Sequence, residues 1–146
     1  MKNLILLFLF LSTLVYGQLE IKKEVEQKPI SSVNGISIYK TEKENITIYS
    51  FCYINQKYET LKEYKCFVFN DISESYNNLY KSILEGFKTP KDDISFNVEE
   101  EKIIVNYDKN FGLVTMYFIN VDLISNQIVG YSPSLTEKSF KKLFGK

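Results

Sequence analysis

Two runs in the chain, ITIYSFCYIN (46–55) and EYKCFVFN (63–70), consist largely of β-branched and aromatic residues, the composition of strands. Side chains alternate between the two faces of a strand. One face therefore carries Ile46, Ile48, Ile54, Tyr64 and Val68, and the other carries Tyr49, Phe51, Tyr53, Phe67 and Phe69. Helices packed on one side of an antiparallel sheet call for only one apolar face. A strand pair that is apolar on both faces needs a cover on each, and that demand constrains the fold more than any other feature.

If the two runs form a hairpin closed around Gln56 to Leu61, one register sets Phe51 opposite Phe67 and Tyr49 opposite Phe69. The same register sets Cys52 opposite Cys66, close enough for a disulfide if the pair is not hydrogen-bonded. These are the only two cysteines. Two thiolates in a chain without histidine make a poor metal site, and their spacing of 14 is not that of a redox CxxC turn. The reading is a structural bridge, with two free buried thiols as its competitor.

The flanking segments define the class. Strand-like ISIYK (36–40) follows the turn signal Asn34-Gly35. The period then changes: Ile72, Tyr76, Leu79, Tyr80, Ile83 and Phe87 share one helical face, with Asp71 and Glu74 as a capping box and Gly86 and Pro90 as the stop. Strands resume at 94–98, 103–107, 113–123 and 128–131, with a tight turn at Glu100-Glu101. A second capping box, Ser134 with Glu137, opens a short helix carrying Leu135, Phe140, Leu143 and Phe144. The order βββαβββ(β)α predicts an α+β domain: one antiparallel sheet of about six or seven strands with two helices packed on it. SYNNLYK (75–81) and SFKKLFGK (139–146) look alike and hint at a duplicated βββα unit. Amphipathic helices drawn from this composition would match anyway, and the strands show no similarity.

The opening MKNLILLFLFLSTLVYGQ has a positive start, an apolar stretch shorter than the roughly 20 residues of a spanning helix, and a small residue at Gly17. It predicts a signal peptide at 1–17 cleaved between Gly17 and Gln18, a polar lead-in at 18–34 and a single domain at 35–146. The product is expected to be secreted or periplasmic and to keep off membranes once the signal is removed. Absence of Arg, Ala, His and Trp alongside abundant Lys, Asn and Ile reflects AT-rich coding.

Eighteen basic residues balance eighteen acidic ones, which argues against a nucleic-acid partner. Without histidine the Ser-His and Cys-His arrangements are excluded, and neither a Walker loop nor GxGxxG is present. Acid clusters such as Asp92-Asp93 and Glu99–Glu101 read as solvated turn residues. The expectation is therefore a small exported, non-catalytic binding or accessory protein with no cofactor or metal. Its partner would be an envelope protein or a small apolar or carbohydrate ligand. The alternatives are an enzyme using carboxylates or tyrosine, and an accessory subunit that pairs through an edge strand. Aromatic residues with polar tips suit a partly wet surface, so a candidate groove is placed on Tyr49, Phe51, Tyr53, Phe67 and Phe69. A strongly curved sheet burying both faces is the rival reading.

Overall fold

The structure is a computed structural model that describes residues 28–58, 60–90 and 94–146. The signal peptide, its cleavage point and most of the lead-in lie outside the described residues, as do Asp92 and Asp93.

Among the described residues, nine strands and two helices build two separate antiparallel sheets with the helices packed on them. The first is the meander β1 (Lys28–Val33), β2 (Ile36–Lys43), β3 (Ile46–Ile54) and β4 (Tyr64–Asn70). Helix α1 (Ser75–Lys88) leads to the second sheet, β5 (Ile94–Val98), β6 (Glu101–Asn110), β7 (Leu113–Asp122) and β8 (Ile128–Tyr131). A two-residue strand, β9 (Leu135–Thr136), pairs with β7 and runs into α2 (Glu137–Leu143).

The α+β class is correct, but the single sheet of six or seven strands is not. The count missed β1, because KPISSV has too few β-formers to mark a strand. Its place is set by the Asn34-Gly35 turn, where φ values of 50° and 80° give the type I′ geometry that matches strand twist. The partition into two sheets was not legible because β4 and β5 are joined by a helix rather than a hairpin, and they do not pair.

That partition covers one of the two apolar faces and leaves the other to solvent. Ile36, Ile38, Phe51 and Tyr53 of the first sheet are fully buried, as are Ile103, Val105, Met116 and Phe118 of the second. Aromatic edges lock the layers: Phe118 lies 5.3 Å from Phe67 and 6.1 Å from Phe51, both edge-on. Such pairs add roughly 0.5–1.5 kcal/mol each beyond their buried area. The opposite face of the first sheet, with Ile46, Tyr64 and Val68, stays exposed.

Both capping boxes are corrected. Glu74 caps α1 at a positive φ of 60° without a side-chain bond. Asp71 Oδ1 instead accepts from the Tyr76 N–H at 3.0 Å, and Ile72 is left outside the helix and exposed. The second helix starts later than Ser134: Thr136 is its cap, accepting from the Ser139 N–H at 3.2 Å. Leu135 belongs to β9 and is buried there, while Phe140, Leu143 and Phe144 are core residues as expected.

Each half of the fold is a four-stranded meander followed by a helix. The look-alike segments align Tyr76 with Phe140 and Tyr80 with Phe144. Their contacts are reciprocal: Tyr76 meets Phe144 at 4.8 Å and Tyr80 stacks on Phe140 at 5.5 Å.

Candidate functional site

The five aromatic residues singled out for binding do not form an open groove. Tyr53 and Phe51 are inaccessible and Phe67 nearly so; Tyr49 is 9% exposed, and only Phe69 is half-buried. The reason is the second sheet, which occupies the space where a ligand was expected. Tyr49 stacks on Tyr76 with centroids 4.1 Å apart. Burial raises the pKa of Tyr49, with the charge of Asp71 adding to it. Burial also raises Tyr76, whose hydroxyl has no partner among the described residues.

Cys52 and Cys66 are joined by a disulfide. They face each other across β3 and β4 with Cα atoms 4.1 Å apart, the spacing of a non-hydrogen-bonded pair. The bridge sits on the outer face of the first sheet and ties down strand β4.

A polar chain, invisible in the sequence, clamps the two sheets. Tyr53 donates to Asn120 Oδ1, and Asn120 Nδ2 donates to Glu101 Oε2. Glu101 Oε1 then pairs with Lys65 Nζ at 2.6 Å. Glu101 is thus not the solvated turn acid read from the sequence: the tight turn is Glu99-Glu100, and Glu101 opens β6. Burial, reinforced by the Glu101 charge, holds the Tyr53 phenol well above its usual range. The chain is a structural clamp, since Tyr53 and Asn120 are both inaccessible.

The arrangement suited to a ligand lies between α1 and β5. A concavity of about 450 Å³ runs between them and ends against Phe69 and Asn70 of β4. From the helix come Ser75, Asn78, Leu79 and Ser82, spaced to share one face. From the other side come all five residues of β5, Ile94 through Val98. A sheet face would present only alternate residues. Five consecutive ones mean that the strand edge itself borders the groove. β5 pairs with β6 along one edge, and among the described residues no strand pairs with the other.

Register shows which backbone groups point into that space. Val98 and Glu101 flank the two-residue turn and are paired, so they exchange backbone bonds; by alternation Phe96 with Ile103 and Ile94 with Val105 do the same. The N–H and C=O groups of Ser95 and Asn97 therefore point to the free edge. The corresponding contact in the other half is closed: α2 lies on β1, where Ser31 Oγ donates to the Leu143 carbonyl.

Among the described residues the groove has no titratable side chain in its lining. Its chemistry is amide and hydroxyl hydrogen bonding over an apolar floor of Phe69, Leu79, Ile94, Phe96 and Val98. Among the described residues no three His, Cys, Asp or Glu side chains are placed to hold a metal ion. Of the five aromatic residues singled out for binding, Phe69 alone lines this groove. The available signal was the row of short polar residues at 75, 78 and 82, on a helix whose other face is aromatic. No family model matches the chain, and comparison with curated proteins and with solved structures finds no match.

Proposed function

We propose that this is an exported, non-catalytic accessory protein that captures an extended segment of a partner by adding it as a strand to β5. The observation that carries the reading is the groove between α1 and the unpaired edge of β5, with the Ser95 and Asn97 backbone groups directed into it. Strand addition draws affinity from main-chain hydrogen bonds and specificity from alternate side chains that enter pockets. Here alternate residues of the incoming segment would meet Leu79 and Phe69 on one side, with Asn78 and Ser82 at the rim. An uncharged lining selects an uncharged, β-branched or aromatic segment, because a buried unpaired charge would be costly. Export is part of the proposal and rests on the opening apolar stretch, with the mature chain starting at Gln18.

Among the three readings drawn from the sequence, a free edge favours the accessory subunit that pairs through a strand. Among the described residues the groove lining supplies no general acid or base at this place. The test is parallel capture from the native cell envelope with wild-type protein and the Asn97→Pro variant. Proline removes the outward N–H of residue 97 but none of the β5–β6 bonds, so the fold should persist. The wild type should retain a partner that the variant loses. Equal retention by both would reject strand addition.

A further inference from the structure

A second surface is built from the β6–β7 hairpin tip and helix α2. Residues 138–146 contain four lysines and no acid. Lys138, Lys141, Lys142 and Lys146 border a concavity of about 810 Å³, whose other side is Gly112, Leu113 and Val114 of the hairpin. Lys141 is engaged by Glu137 at 2.5 Å. Lys138 and Lys142 are exposed and form no ion pair among the described residues. In a chain of balanced charge this is a local excess of positive charge.

The hairpin tip beside it has an unusual composition. Phe111 occupies the first position of the two-residue turn at φ 51°, followed by Gly112 at 82°. Asparagine or aspartate is the favoured residue at such a position, and a bulky side chain there is an outlier. The Phe111 ring is fully solvent-exposed, and Leu113 next to it is 56% exposed. Among the described residues nothing covers the Phe111 ring, and an Asn would suit both the backbone and the water better.

We infer that this tip and the lysine face of α2 form a docking surface for an anionic lipid bilayer. Phe111 and Leu113 would enter the boundary between headgroups and acyl chains, and Lys138 and Lys142 would face lipid phosphates. Buried apolar area combined with lysine attraction to anionic lipid is how peripheral surfaces bind membranes. The sequence expectation of no membrane contact followed from removal of the one long apolar stretch. A two-residue apolar tip lies below the reach of that criterion. Among the described residues no helix is long and apolar enough to cross a membrane, so the contact proposed is superficial. It lies at the C-terminal end of α1, beside Phe87, away from the first turns that border the strand groove.

The test uses the full mature chain and vesicles of phosphatidylcholine alone or mixed with phosphatidylglycerol. The natural chain has no tryptophan, so Phe111→Trp supplies a single reporter. Its emission should shift to the blue with the anionic vesicles only, and the shift should weaken with added salt. In sedimentation, Phe111→Asn should lose about tenfold or more in partitioning while its Tm stays the same or rises. Lys138→Glu combined with Lys142→Glu should lose at least as much, since each lysine near such a surface contributes about fivefold. Absence of partitioning, or equal partitioning of Phe111→Asn, would overturn the inference. So would binding to soluble dextran sulfate without binding to vesicles, which would make the surface a reader of free polyanions.

Discussion

Replacing Gly86 by alanine adds one methyl group, and the outcome depends on Tyr107. In an exposed helix interior the change stabilises by about 1 kcal/mol through backbone entropy. At this site the new Cβ would lie 2.3 Å from both Cζ and Oη of Tyr107 and 2.6 Å from Cε2. Carbon contacts settle near 3.5–4.0 Å, so ring or helix must yield by more than about 1 Å. The ring is not free to move: its hydroxyl donates to the Ile83 carbonyl at 2.8 Å, and Phe87 packs edge-on at 5.5 Å. Relief breaks that hydrogen bond, worth about 1 kcal/mol, and overpacks the contact at roughly 1–3 kcal/mol. After the propensity gain, the net loss should be about 1–3 kcal/mol. Urea unfolding measures it as a lower midpoint at unchanged slope. In a Tyr107→Ala background the same substitution should reverse sign and stabilise. A Gly86→Ala variant that raises the midpoint in the wild-type background would refute the packing of α1 on β6 described here.

Removing the bridge with Cys52→Ala and Cys66→Ala should cost about 3 kcal/mol in the chain-entropy account for a loop of this size, again by urea midpoint; a loss near zero would mean that β4 is held without it. Phe144→Ala should cost about 3–5 kcal/mol, because the ring lies between Tyr76, Tyr80, Phe140 and Phe51; an unchanged Tm would contradict the burial of α2. Tyr53 and Tyr76 both have folded pKa values raised by burial, so their stabilising contribution is complete below the unfolded value of about 10 and is lost as pH rises beyond it. Thermal melts should therefore fall steeply above about pH 10, and the fall should shrink in a Tyr53→Phe, Tyr76→Phe variant; an unaltered slope would place alkaline sensitivity elsewhere.

Sequence pattern was most informative where one local rule decided the outcome. The register of β3 with β4 follows from alternation and aromatic pairing, and it placed Cys52 opposite Cys66. The helical period of Tyr76, Ile83 and Phe87 is likewise local, as is that of Phe140 and Leu143. The face of Tyr49, Phe51, Tyr53 and Phe67 is buried rather than open, because alternation shows that a strand is apolar on both faces without showing which face another layer will cover. Tyr49 and Tyr53 looked wet-tipped, yet Tyr53 spends its hydroxyl on Asn120, a residue 67 positions away. β1 escaped notice for a related reason: Pro29, Ser31 and Ser32 are poor strand formers, and the strand exists through pairing with β2 and the cover of α2. The groove was not legible because it depends on β4 and β5 failing to pair, a tertiary outcome that no local pattern encodes.

Backbone amide exchange at β5 tests the strand-addition account most directly. In the free protein the Ser95 and Asn97 N–H groups face the open edge and should exchange fast. The Phe96 N–H is bonded to Ile103 and should exchange slowly. With the captured partner segment bound, Ser95 and Asn97 should become protected while Phe96 changes little, giving the alternating signature of an added strand. Binding that leaves Ser95 and Asn97 as fast as in the free protein would contradict the account.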